Sequence, residues 1–462
     1  MAVVLRIPAL LATRHLSFDD GVYGASAVAM RAGGLPYRDV FSSQGPLFLP
    51  LVWLFDLLGL RTLDAPRLLA VASGAALVLA TWSAARAVRL STGAAALAAG
   101  LVAVSGSVLW VTGPLTSDGP GLALAAWAVT AALWYRRSPS LRRAVAAGVL
   151  LGAALSVKSL LLAAGLPVAW VLLGNRRHLA AAVATAGAVS LAVALPWGLD
   201  NVWDQAFDYH LEAAGSRTPV PNLRKVLSTL GDRDLPLLLA ALAAMATAVA
   251  GRRSRTRKST QPANLGGDPV GVRLVAVWLA ATVIVLAAEH PLWRNHVSHL
   301  VPATALLVAV AFDRARIVPR PAVLVAGGLV AALAVPYHVV HLSEILWPAP
   351  PGKALAAARA DLRALPAGAQ VISDDPGVVW RAGRRTPDDL VDTSILRIDS
   401  GRLTGPSLAR AATVRPVCAV LVWSHRFGDL THLPKLLEDR GYRPTARYGG
   451  PKVLYVRDAC SL

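Results

Sequence analysis

Asp19 and Asp20 stand side by side in the run HLSFDDGVYG, near the head of a chain that is otherwise mostly apolar. Two chemistries suit them. A carboxylate at a helix start accepts backbone N–H groups as a cap, and the following GVYGASAVAMRAGG has small and apolar residues at helical spacing. One carboxylate suffices for a cap. A second one facing a cavity is a candidate general base, able to take the proton of a hydroxyl as that hydroxyl attacks an electrophile. His290, His296 and His299 raise the question of zinc, because positions 296 and 299 lie one helical turn apart. HPLWRNHVSH lacks the glutamate of a zinc-protease pair, however, and few carboxylates surround it, so no metal site is assigned. Asp374 and Asp375 follow a predicted strand, where α/β domains bind ligands, although turn chemistry ahead of Pro376 also accounts for them. No Walker loop, dinucleotide fingerprint or Gly-Xaa-Ser-Xaa-Gly elbow occurs, so nucleotide-driven transport and hydrolase chemistry get no support.

These residues need elements to hold them. The 462 residues are 55% hydrophobic and 16% charged, with a mean hydropathy of +0.52, too apolar for an ordinary soluble protein. Apolar stretches recur with short polar loops between them, and about 20 residues of helix cross the hydrocarbon, so a polytopic α-helical membrane protein is expected. A formal charge of +19 and a pI near 11.0 bring nucleic acid to mind. The basic residues instead cluster between apolar segments: Arg86 and Arg89; Arg136, Arg137, Arg142 and Arg143; Arg176 and Arg177; Arg252 to Lys258; Arg314, Arg316 and Arg320. That is the signature of cytoplasmic loops, and no nucleic-acid partner is expected.

Spanning helices are predicted at 64–85, 93–112, 119–135, 143–157, 159–174, 179–198, 235–250, 273–288, 298–312 and 321–341. The segments 13–63, 113–118, 200–234, 289–297 and 342–462 then lie outside. GPLFLPLVWLFDLLGL is short, contains Asp56, and is read as a helix lying in the outer interface, with Trp53 at a suitable depth. The basic run at 252–258 and the STQPANLGGDP after it read as a disordered cytoplasmic loop. MAVVLRIPALLA is too short for the complete first helix that an outside Asp19 requires. A start upstream of Met1 is the preferred explanation, and a tilted stub in a thinned bilayer the alternative.

After residue 342 the pattern becomes that of a small α/β domain. PGKALAAARADLRAL reads as an amphipathic helix, AQVISD as a strand, GPSLARAAT as a helix, VCAVLVW as a buried strand, LPKLLEDRGY as a helix and PKVLYVRD as a final strand. Both cysteines, Cys418 and Cys460, lie here; an oxidising exterior permits a disulfide, and two separate thiols are the other reading.

The first loop resembles that of the GT-C membrane glycosyltransferases, a group including protein O-mannosyltransferases and lipid A aminoarabinose transferases. The elements carrying the resemblance are the acidic pair Asp19 and Asp20, Tyr23, the Gly-Xaa-Pro-Tyr run Gly34 to Tyr37, Pro46 and Leu47, and Ala65 to Leu68. It continues through TSDGPGLALAAWAVTAALWYRR and GVLLGAALSVKSLLLAAGLP, and more loosely through HPLWRNHVSHLVPATALLVA. The resemblance implies transfer of a sugar from a polyprenyl-phosphate donor to an acceptor hydroxyl on the outer face, with inversion. Asp19 matches the catalytic first-loop aspartate, and Asp20 stands where the group often has Glu, as a supporting acid. Asp118 matches an acidic position in the second external loop, where it orients the acceptor or holds a divalent cation; an N-cap is the alternative. Lys158 matches a lysine that follows a Gly-rich helix. With Arg217, Arg224, Lys225 and Arg294 it would face the leaving phosphate, unless these are snorkelling or solvated side chains. His296, His299 and Tyr37 are expected at the donor or acceptor.

The expectation is thus GT-C architecture with about 11 spanning helices, residues 1–341 forming the transferase and 342–462 an extracytoplasmic α/β domain. The sugar is expected to be mannose or arabinofuranose, the acceptor a glycan, lipid or protein, and the location a bacterial plasma membrane. A secondary transporter or flippase, or an inactive family member serving as a partner subunit, are the rival readings.

Overall fold

The computed structural model describes residues 1–212, 219–254, 268–315, 336–414, 416–430 and 432–460. Among them four helices are long and apolar enough to cross a membrane: Ala65–Ala87, Arg176–Trp197, Pro269–Ala288 and Arg294–Arg314. The helices expected at 119–135 and 143–157 are also present, as Asp118–Arg137 and Leu141–Val157. The expected span 321–341 lies mostly outside the described residues, as does most of the basic loop from residue 255 onward.

Three expected elements are corrected. The segment 93–112 is two helices, Thr92–Val104 and Gly106–Thr112, bent by 60°. Ser105 breaks it: its hydroxyl accepts the Val108 N–H and starts a new helix. The helix expected at 235–250 starts earlier, since Pro219–Ser254 is helical throughout but for a kink at Asp234, two residues before Pro236. The two breaks meet, because Asp234 Oδ2 accepts the Ser107 N–H at 3.0 Å. The span 159–174 opens as a 3₁₀ helix, Ser159–Ala164, before turning α-helical at Gly165–Leu172.

The arginine-bearing helix ends gather at one end of the bundle. Arg137 donates to the Arg86 carbonyl at 3.0 Å, the Asp268 N–H to the Val88 carbonyl at 2.9 Å, and Arg136 pairs with Asp268. The first loop packs at the opposite end. There the Phe48–Leu58 helix has its one carboxylate, Asp56, buried against Arg31 (2.5 and 2.8 Å), which explains an acid in so apolar a stretch.

Residues 353–460 form a four-stranded sheet with helices on both faces. Its strands are β1 (Gln370–Ser373), β2 (Val417–Val422), β3 (Tyr442–Arg447) and β4 (Val453–Arg457), in the order β1-β2-β4-β3. β1 and β2 are parallel, and the other pairings antiparallel. Side chains alternate between two apolar layers, Ile372, Val420 and Tyr455 on one side, Val371, Leu421 and Leu454 on the other. β3 escaped sequence reading because most of its residues, including Arg443 and Arg447, are exposed. Cys418 and Cys460 are joined by a disulfide, Cα–Cα 5.6 Å.

This unit is locked to the first loop. The helix Pro376–Arg381 crosses Phe18–Arg31 so closely that a Cβ on Gly21 would come within 2.6 Å of Gly377 Cα, and one on Gly24 within 2.3 Å of the Trp380 ring. Trp380, fully buried, joins Val22, Tyr23 and Phe48 in one apolar cluster. Arg381 pairs with Asp64 (2.5 Å) and His15 with Asp375 (3.1 Å) across the same seam.

Candidate active site

Two consecutive residues on a helix point about 100° apart, so Asp19 and Asp20 have different neighbours. Neither caps the helix. Ser17 does, its hydroxyl accepting the Asp20 N–H at 3.2 Å. Asp20 is fully buried and fully engaged: Arg67 donates to it twice (3.0 and 2.5 Å), and the Leu16 and Leu115 N–H groups once each (2.9 and 3.0 Å). It therefore joins the first loop to the helix starts at 65 and 118 and does not line the cavity beside it, contrary to the expectation of a second acid at the site.

Asp19 does line that cavity, of about 410 Å³, and its carboxylate accepts no hydrogen bond from any described residue. Burial pushes its pKa up to about 6; Asp118 and Asp392 add to the rise, and Lys158 and Arg426 oppose it. A carboxyl tuned to this range is ionised at neutral pH and basic enough to accept a proton.

Facing it, Lys158 Nζ donates to Asp118 at 2.9 Å and His299 Nε2 lies 3.0 Å from Asp118 Oδ1. Asp118 is the first residue of its helix but accepts no backbone N–H, so the capping reading is corrected. Lys158 follows the Leu141–Val157 helix directly, and the first loop is pinned beside it by Gly45 N–H and Leu47 N–H, which donate to Val157 and Ser156 carbonyls at 3.1 and 2.8 Å. Lys158 and His299 already engage Asp118, and among the described residues no group of three His, Cys, Asp or Glu side chains is placed to hold a metal. The described residues thus offer no ligand set for a resident cation.

Arg294 and His296 line the same cavity, Arg294 paired with Asp232 and the His296 ring stacked on His299 at 6.0 Å. Lys225 lies over the Trp293 ring at 5.8 Å. Tyr37 is buried and does not line the cavity; its hydroxyl donates to the carbonyl of Gln44, which does, and its backbone takes a left-handed turn at φ 62°. Arg217 lies outside the described residues.

The α/β unit completes the cavity with side chains that the sequence did not single out: Asp392, Ser394 and Arg426. Asp392 accepts the Ser43 hydroxyl (3.2 Å) and the Ser394 N–H (2.9 Å), and Ser394 Oγ meets the Tyr209 hydroxyl at 2.8 Å. One signal was available, for SHRFGD directly follows the buried strand VCAVLV and its neighbour Trp423, and the carboxyl end of such a strand is where α/β folds place ligand contacts.

The architecture is similar to that of proteins of known structure. ArnT from Cupriavidus metallidurans aligns in its apo state with a TM-score of 0.63 at 14% identity, over 98% of this chain and 95% of that one. Its form bound to undecaprenyl phosphate aligns equally well, over 100% and 97%. The Archaeoglobus fulgidus oligosaccharyltransferase in its apo form gives 0.59 at 15% identity, over 99% of this chain and 73% of that one. The archaeal oligosaccharyltransferase AglB from Archaeoglobus fulgidus, in complex with an inhibitory peptide and a dolichol-phosphate, gives 0.56 at 14%, over 98% and 74%. No protein-family model and no curated protein matches the chain. At such identities the likeness establishes the fold alone: the chain folds as these proteins do.

Proposed function

We propose that this chain is a membrane glycosyltransferase that moves a monosaccharide from a polyprenyl-phosphate donor to an acceptor hydroxyl. The observation that carries the reading is Asp19, an acid without a hydrogen-bond partner among the described residues, in a cavity shared with Lys158, Arg294 and His296. The bound undecaprenyl phosphate of ArnT and dolichol-phosphate of AglB support a polyprenyl carrier.

In this mechanism Asp19 accepts the proton of the acceptor hydroxyl while that oxygen bonds to the anomeric carbon. The bond from that carbon to the phosphate oxygen breaks, its electron pair leaving with the polyprenyl phosphate, and the sugar inverts. Lys158 and Arg294 stabilise the departing charge, with Asp118 and His299 fixing the ammonium in place. Asp20 acts through structure, holding the helix that carries Asp19. We further read about eleven spans, the cavity and the α/β unit (342–462) on the extracytoplasmic side of a bacterial plasma membrane, and mannose or arabinofuranose as the sugar.

The test is transfer by the reconstituted protein from a panel of radiolabelled polyprenyl-phosphate sugars into total envelope acceptor. One sugar should move, and Asp19→Asn should reduce the rate about a hundredfold or more while leaving folding intact. More than about a tenth of the activity surviving in Asp19→Asn removes Asp19 as the base. No transfer from any donor by folded protein favours the transporter or inactive-partner readings.

A further inference from the structure

The loop after β2 is built around one buried carboxylate. Asp374, with no exposed surface, accepts the N–H groups of Trp423 (2.6 Å), Ser424 (3.0 Å) and Phe427 (3.4 Å) and the Ser424 hydroxyl (2.9 Å). This arrangement delivers Arg426 to the cavity wall next to Asp19. Its guanidinium carbon lies 3.9 Å from the Phe18 ring centroid, and Nη1 donates to the Asp374 carbonyl (3.3 Å) and to Ser424 Oγ (3.1 Å). Nε and Nη2 have no hydrogen bond to any described residue, and no described acid forms an ion pair with Arg426. The cavity's other long cations are engaged, Lys158 by Asp118 and Arg294 by Asp232.

A guanidinium held on both its stacking face and one nitrogen, with its remaining donors open, is prepared for an oxyanion. We infer that Arg426 binds an anionic group of a substrate, a phosphate or a carboxylate, beside Asp19, so that the α/β unit supplies its own anion site to the cavity. This rests on the transfer reading above. Two sources share the chemistry: the phosphate of the carrier lipid, or an acidic group on the acceptor.

Initial rates are to be measured in proteoliposomes with donor and acceptor varied separately, for the unsubstituted protein, Arg426→Gln, Arg426→Met, Arg426→Lys and the remote control Arg443→Gln. Arg426→Met keeps an apolar stem on Phe18 and removes the charge together with the guanidinium donors, including those to Asp374 and Ser424. A rise in KM of about ten- to a hundredfold for one substrate, with kcat changing far less, is expected for Gln and Met. Lys should recover part of it, because it keeps the charge but not the fork. A donor effect, with weakened binding of undecaprenyl phosphate as probe, identifies the carrier; an acceptor effect with unchanged probe binding identifies the acceptor. Unchanged KM for both substrates overturns the inference, as does an equal loss for both accompanied by a lowered melting temperature. A shifted pH profile without a KM change also overturns it, leaving Arg426 only as a counter-charge to Asp19. Absence of transfer by the unsubstituted protein instead overturns the reaction and this site with it.

Discussion

Asp19 is exposed to the cavity and Asp20 is tied to Arg67, so the same substitution at the two positions should act on different properties. Asp20→Asn removes the carboxylate that Arg67 meets at 2.5 Å in a fully buried place and leaves only Asp64 at 4.0 Å, which costs about 3–5 kcal/mol and should show as lost folded yield. Asp19→Asn should leave yield intact or improve it. Its pKa is raised on folding to about 6, so the native carboxylate is a burden that is present above that pH and disappears as pH falls below the unfolded value near 4. The melting temperature of Asp19→Asn should exceed that of the unsubstituted protein at pH 8, with the gap closing towards pH 4. Activity of the unsubstituted protein should climb through pH 6 as the base ionises, and a rate already flat between pH 5 and 8 would contradict the assignment. The adjacency of the two acids is legible in the sequence. Which of them meets a partner is not, since Arg67 lies 47 residues further on and nothing local points to it.

Helices impose their own demands, and the crossing of Phe18–Arg31 with Pro376–Arg381 is the tightest. Gly24→Val would put a branched side chain where Trp380 already sits, at a cost of about 1–3 kcal/mol or more, and would shift the helix bearing Asp19. Calorimetry and transfer should therefore fall together in this variant, whereas Asp19→Asn separates them. In sequence, Gly21 and Gly24 read as ordinary small residues of an interfacial helix. Their partners lie about 350 positions away, in a segment that looked like a simple turn before Pro376. The strong periodic helices were readable because burial against lipid and neighbours repeats along the chain. The break at Ser105 and the helical start at Pro219 were not, since Ser105 and Asp234 act through a contact between two distant bends.

At the scale of the molecule, six chain segments predicted to share one side of the membrane supply the cavity's walls: the first loop, Ser117 and Asp118, the turn at Lys158, residues 206–210, 289–296, and Asp392 to Leu396 with Arg426 of the α/β unit. The arginine clusters gather at the far end. Ser138→Cys, at an exposed position in the Arg136–Arg143 loop, should react with an impermeant thiol reagent only in inside-out vesicles, and Ser400→Cys of the α/β unit only in right-side-out ones. Labelling of both from one side would refute the topology. The Cys418–Cys460 bridge closes a separation of 42 residues, so its removal by double Ser substitution should lower stability by about 2–4 kcal/mol, in the α/β unit first. That unit is no appendage, however. Gly21 and Gly24 fit Gly377 and Trp380 without room for another carbon, so a chimera that borrows residues 353–460 from a relative will be accepted only if it also borrows the stretch around His15 to Gly24. What must be exchanged to alter the chemistry of the pocket is a pair of crossing helices, and the boundaries of such a graft run through the seam between the units instead of along it.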